Sequence, residues 1–195
     1  MKKMLMFASL ATPMALPTVA EAQAIPPAIV AVVDLDKVST NCNACKTAAA
    51  ALRSQVQAYQ GREGALATPL QTEGKSLQAA VDALGGKEPD AALKARITAF
   101  QNKQQQAAQE LQRQQQQIQR NQQFVQKQIG DKLGPIYSQV MQRRGANLMV
   151  EVGSTLATAS ALDVSNDVVA GLNVALPAIQ TNAPAAPATP QPQGR

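Results

Sequence analysis

Between Ala44 and Leu84 the larger apolar residues recur at Leu52, Val56, Tyr59, Leu66, Leu70, Leu77, Val81 and Leu84. Steps of three and four residues place them on one stripe of a helix, with Glu63 and Glu73 at the two positions the stripe skips. After Gly85-Gly86-Lys87-Glu88-Pro89 the stripe resumes at Leu93, Ile97, Phe100, Ala107, Leu111, Ile118 and Val125. It then changes phase through Ile129, Leu133, Ile136 and Val140, as a stutter does. Asp90 can cap the second helix, so the pattern predicts a helical hairpin over residues 44–144 with its turn near 85–89. Roughly 40 residues at about 1.5 Å each give an arm on the order of 60 Å long. With the turn centred near residue 87, Gly74 lies beside Phe100 and leaves room for its ring. Gly130 and Gly134-Pro135 fall level with Cys42 and Cys45, at the joint between arm and body.

Two short runs carry a different signal. Ile29-Val30-Ala31-Val32-Val33 and Asn147-Leu148-Met149-Val150-Glu151-Val152 are β-branched and apolar, and each is flanked by turn or cap residues. They stand on opposite sides of the hairpin, which brings them together when it folds back. Ser165 starts a short capped helix reaching Leu176 that can cover them. The expected fold class is α+β: a β-rich body from residues 25–43 and 145–177, bearing one antiparallel coiled-coil arm. Two or three short strands are too few to stand alone, so association of several chains has to complete the core. Val30, Val32, Leu148, Val150 and Val152 are the candidate residues of that shared body.

The ends read as processing and tail segments. Lys2 and Lys3 precede an apolar stretch from Met4 to about Ala20, and Ala22-Gln23-Ala24 has the small-x-small pattern of a cleavage site. Residues 1–24 are therefore expected to be an export signal. An uncleaved anchor is the alternative, but Pro13 and Pro17 interrupt a stretch already short for a span. Residues 178–195 are Pro, Ala, Gln and Thr without periodic apolar positions, a composition expected to form a disordered tail.

Composition sharpens this picture. The 195 residues include no His, which removes Ser-His and Cys-His nucleophile pairs and His metal ligands, and the expectation is no enzyme, no cofactor and no metal site. From Gln101 to Gln128, 15 of 28 residues are Gln, and Gln104, Gln114, Asn121 and Gln128 fall on core-type positions where they weaken a dry seam. Pro69 and the glycines at 61, 64 and 74 cost the first helix stability, and Pro69 is expected to kink it. Charge divides the chain: Lys46 to Arg144 holds 14 basic and 7 acidic residues, whereas the remainder of the exported chain is net acidic. A basic helix face usually reflects solvation; the alternative is attraction to an anionic partner or surface, for which Lys75, Lys87, Lys94 and Arg96 are the candidates. Nucleic acid is not expected as a partner of an exported chain.

Cys42-Asn43-Ala44-Cys45 follows a strand and opens a helix in this reading, the local setting of a redox motif, although a thioredoxin alternation of strands and helices is absent. Haem attachment requires His where Lys46 stands, and zinc needs two further ligands from another subunit. A local disulfide is the preferred state, with two free thiols next.

These elements, in this order, resemble the Skp/OmpH family of periplasmic chaperones. The stretches that carry the resemblance are Ala31-Val32-Val33-Asp34-Leu35-Asp36-Lys37-Val38, Gly145-Ala146-Asn147-Leu148-Met149-Val150, and Leu162-Asp163-Val164-Ser165-Asn166-Asp167-Val168-Val169 with Leu172-Asn173. The resemblance implies a jellyfish-like homotrimer, in the periplasm, whose three arms enclose a cavity for unfolded outer-membrane β-barrel proteins, held without ATP. It also implies contact with anionic lipid or lipopolysaccharide, without assigning positions. The Gln-rich second helix and Pro69 depart from the family pattern. A structural or adaptor coiled-coil protein of the cell envelope is the alternative.

Overall fold

The computed structural model describes residues 25–184. The expected export signal and residues 185–195 lie outside the described residues. In chain order the elements are β1 (Val30–Val33), α1 (Leu35–Asn41), α2 (Asn43–Asp82), α3 (Ala91–Arg144), β2 (Leu148–Glu151) and α4 (Ser165–Ala175), with 3-10 turns at Val152–Ser154 and Ser160–Leu162.

The strands form where the β-branched runs stand. They pair in parallel, with Val30 opposite Leu148, Ala31 opposite Met149, Val32 opposite Val150 and Val33 opposite Glu151. Parallel neighbours need a long crossover, and here the whole helical hairpin supplies it. Asn147 fixes the start of the pairing: its Oδ1 accepts from Ile29 N–H at 2.7 Å and its Nδ2 donates to the Pro27 carbonyl at 2.8 Å. On the other side of β1, Val164 N–H donates to the Val32 carbonyl at 2.9 Å. β2 ends one residue earlier than the apolar run suggests, because Val152 already begins a 3-10 turn.

α1 is an element the sequence pattern did not predict. Asp34 caps it, its Oδ1 accepting from Lys37 N–H at 2.9 Å, and its one buried residue is Val38. A seven-residue helix offers too few turns for a periodic signal. Cys42 then stands in extended conformation between α1 and α2, closing the first helix and capping the second, with its Sγ accepting from Cys45 N–H at 3.2 Å. The Cys-x-x-Cys segment therefore follows a short helix, and the expected strand-to-helix setting is corrected.

α2 has 40 residues and runs through Pro69, and α3 has 54 and runs through Pro135. Asp90 caps α3, accepting from Leu93 N–H at 2.7 Å, and Gly145 ends it at φ +67°, a left-handed conformation that glycine adopts without steric cost. Arg62 meets Glu110, Glu73 meets Lys103, and a Cβ on Gly74 would stand 3.2 Å from Phe100 Cζ, which is the register of an antiparallel hairpin turning near residue 87.

The core sits where β1, α1, the base of the hairpin and α4 converge. Val140, Val168, Leu172 and Cys42 are fully buried there, with Ile136 and Val33 beside them. Each buried Val or Leu contributes about 1.5–3 kcal/mol. α4 closes over α3 so tightly that a Cβ on Gly171 would meet Ile136 Cγ2 at 2.9 Å. Ser165 was expected to cap α4. Instead it is a buried first residue of the helix: its Oγ accepts from Asp34 N–H at 2.8 Å and donates to Asp163, while Asp163 Oδ1 accepts its N–H.

Candidate functional site

The seam between α2 and α3 is thin. Its buried apolar residues are Ala48 at the base and Leu77, Leu93, Ala107 and Val125 along it, while Leu52, Val56, Tyr59, Leu66 and Leu70 are half-buried. Val81, placed on the stripe by its spacing, is 37% exposed. Near Pro69 a cleft of about 330 Å³ opens between the helices, lined by Leu66, Leu70, Ala107 and the charged pairs Arg62–Glu110 and Glu73–Lys103. The Arg62 guanidinium grips Glu110 with a fork, Nε to Oε1 at 2.6 Å and Nη2 to Oε2 at 3.1 Å. That hydrogen bonding holds the Glu110 carboxyl below the usual carboxylate range and raises Arg62.

Nearer the body the seam turns polar. Asn121, only 3% exposed, donates from Nδ2 to Gln55 Oε1 at 2.8 Å across the helices, and its Oδ1 accepts from Gln117 Nε2 at 2.8 Å. Arg120 in turn donates to Gln117 Oε1, which fixes the direction of that amide. A buried amide left unpaired costs about 1–3 kcal/mol, so this chain of partners is what allows the residues to stay inside.

Residues 178–184 do not behave as a tail without structure. Ile179 packs against the core, and the chain then runs along α3 toward the arm tip. Gln128 holds Gln180 at both main-chain groups, accepting from its N–H at 3.0 Å and donating to its carbonyl at 2.8 Å. Gln55 Nε2 donates to the Thr181 carbonyl and to Asn182 Oδ1, each at 3.2 Å. Ala183 N–H donates to Asn121 Oδ1 at 2.8 Å and its carbonyl accepts from Gln117 Nε2 at 3.4 Å. The expected boundary of the disordered segment is corrected to this extent: side-chain amides on the arm satisfy the backbone that its composition leaves without periodic apolar anchors.

Asn182 lines a cleft of about 430 Å³ that continues past it to Ala58, Tyr59, Arg62, Gln114 and Ile118. The sequence pattern pointed at this region through Asn121 and Gln128 on core-type positions, but only as weak packing. Gln55 in α2, and Gln117 within the glutamine-rich stretch of α3, carry no signal of their own.

The basic candidates lie around the hairpin turn. Lys75, Lys87 and Arg96 are exposed, and Lys94 pairs with Glu88 at 2.6 Å. The body candidates come together in register: Val30 and Leu148 are opposite each other, as are Val32 and Val150, on the face of the sheet away from Ala31 and Val33. Leu148 remains 46% exposed there, and Leu156 is fully exposed in the loop that follows. Val152 sits beyond the strand, in its 3-10 turn.

Cys42 and Cys45 are joined by a disulfide whose Cα atoms stand 5.1 Å apart. Both are buried, Cys42 completely, which keeps their sulfurs from the thiol partner a redox catalyst must reach. Asp163 is the most perturbed carboxyl of the body: hydrogen bonds from Ser165, and then from Lys37 at 3.0 Å, hold it down to about 2. Among the described residues no helix is long and apolar enough to cross a membrane, and no cluster of His, Cys, Asp and Glu could hold a metal ion.

A family model described as Outer membrane protein (OmpH-like) matches residues 29–172, from the residue before β1 to the middle of α4. Among solved structures the chain is similar to one described as an OmpH-like outer membrane chaperone of Caulobacter crescentus CB15, at 19% identity and a TM-score of 0.65. The match covers 84% of this chain and 96% of that one. No curated protein sequence matches. With β1, the hairpin, β2 and most of α4 inside the matched range, the chain belongs to the OmpH-like family.

Proposed function

We propose that this chain is an ATP-independent holdase of the periplasm, which keeps unfolded outer-membrane β-barrel proteins from aggregating before their insertion. Three copies associate through the part of the β1–β2 sheet face that Val30, Leu148 and Val150 leave uncovered, Val32 on the same face being already buried within one chain, and their helical hairpins enclose the client. The observation that carries this reading is the contrast within one chain between a body organised around a fully buried apolar core and a long hairpin whose seam is thin, polar and clefted. Such a hairpin offers many weak mixed contacts. An unfolded barrel strand alternates apolar and polar residues, so mixed contacts suit it, and the absence of one tight site suits its release. The similar solved structure, that of an OmpH-like outer membrane chaperone, supports the same class. The two-stranded sheet supports association, because Val30, Leu148 and Val150 leave an apolar face that one chain does not close. The exposed Lys75, Lys87 and Arg96 make the arm tip suited to an anionic lipid or lipopolysaccharide surface.

A stiff envelope spacer needs a continuous packed seam, which Asn121 and the clefts at Pro69 and Tyr59 interrupt. The test is to replace residues 61–113 with a short glycine turn. Gln60 and Gln114 lie level in the hairpin register, so the body and arm base are kept. The expected result is a trimer by sedimentation that no longer suppresses light scattering by a urea-diluted barrel. A short-arm chain that protects the barrel as well as the whole chain would refute the role given to the arms.

A further inference from the structure

We propose that the amide network at the arm base is a binding site for an extended polypeptide backbone, and that the chain's own Gln180–Ala183 segment occupies it in place of a client. The client part of this proposal rests on the chaperone reading above; the site itself does not.

The contacts on this segment are almost all to main chain. Gln128 takes the N–H and carbonyl of Gln180, Gln55 takes the carbonyl of Thr181, and Asn121 and Gln117 take the N–H and carbonyl of Ala183. A side-chain amide presents a donor and an acceptor together, so it pairs with an extended residue as an adjacent strand would. Among the described residues, the only occupant side chain that is gripped is Asn182. No large apolar side chain of residues 180–183 is inserted, so recognition here depends little on sequence.

The site is also built from within. Asn121 is buried and tied to Gln55 and Gln117, and Arg120 orients Gln117 from behind. Donors aimed in advance bind at lower entropic cost. Past Asn182 the cleft of about 430 Å³ adds Tyr59, Ile118 and Arg62, which gives a longer chain apolar and charged contacts to gain. Unfolded barrel strands differ in side chains but share an extended main chain, the one feature a reader of many clients can rely on. The tethered segment then acts as a weak internal competitor, covering the amides until a client with several segments displaces it.

The test uses the full-length mature chain carrying Gln180→Pro and Ala183→Pro, which removes both main-chain donors of the segment without shortening it. A labelled urea-unfolded barrel and a labelled peptide of residues 178–184 serve as probes in anisotropy titrations. Opening the site should tighten barrel binding about threefold or more, because apparent affinity scales with the fraction of unoccupied sites. The peptide should bind the opened chain, be displaced by the barrel, and bind more weakly when Gln128→Leu is added. A peptide that fails to bind the opened chain, while the barrel is still protected from aggregation, would overturn the site and leave the chaperone reading standing. Peptide binding without barrel binding by any variant would do the reverse. Peptide that binds but is not displaced by a bound barrel would overturn the proposal that clients use these amides.

Discussion

Gly171 in the body and Gly61 and Gly64 in the arm play opposite parts. In the body, Gly171 makes room: α4 lies so close to α3 that a Cβ would meet Ile136 at 2.9 Å. In the arm, Gly61 and Gly64 make room for nothing, since no atom beyond the adjacent residues and the helix's own backbone lies within 4 Å of where a Cβ would stand. The body is packed to a single arrangement around Leu172, Val168 and Val140, whereas the arm tolerates residues that a stability optimum would replace. Tight packing belongs to the part that holds the chain together; on the proposed holdase reading, loose packing belongs to the part that meets a variable partner.

Substitutions can break or sharpen that contrast. The largest effect is expected from Leu172→Ala, which opens a cavity in a fully closed site and should cost about 2–5 kcal/mol in urea unfolding. Next comes Gly171→Ala, which forces Ile136 to move and should destabilise the body by about 1–3 kcal/mol. The same change at Gly64 should stabilise the arm, by about 0.5–1 kcal/mol from helix propensity alone. Opposite signs for these two glycines, read as shifts of the unfolding midpoint, would sharpen the comparison; loss of stability at both would break it.

The smallest effect is a dependence on acid. Asp163 is held at about 2 against an ordinary 3.8, chiefly by hydrogen bonds from Ser165 and then by Lys37. Its folded value is the lower one, so its contribution is fully present above the unfolded value and drains away as the pH falls from 3.8 toward 2. Asp163→Asn should therefore be less stable than the natural chain at pH 6, with the gap closing by about pH 2. The carboxylate is partly exposed, which keeps the effect modest. A gap that does not change with pH would show that the Ser165 contacts act without the charge.

Much of the architecture was readable from spacing. The three-four stripe, Asp90 before Leu93 and the glycines at 85 and 86 were enough to place a hairpin and its register, down to Gly74 beside Phe100, because long periodic helices repeat their signal many times. Short elements repeat nothing. α1 gives no periodic signal for that reason, and without it the sequence places a strand before Cys42. Ser165 was read as a cap from residue type alone, but the cap partner depends on where Asp34 and Asp163 arrive from distant parts of the chain.

The amide site was half legible. Asn121 and Gln128 stood out as polar residues on apolar positions, which suggested weakness. That these residues meet the main chain of residues 180–183 is a tertiary fact. A polar segment without periodicity gives no sequence sign that distant side chains will satisfy its backbone.

The most direct test of the central claim is native mass spectrometry of the mature chain, alone and after dilution of a urea-unfolded outer-membrane barrel into it without ATP. Bodies that join and arms that enclose predict three subunits alone, and three subunits with one barrel after dilution. A trimer that leaves the barrel to aggregate would contradict the role given to the arms, and a monomer in both samples would contradict the role given to the body.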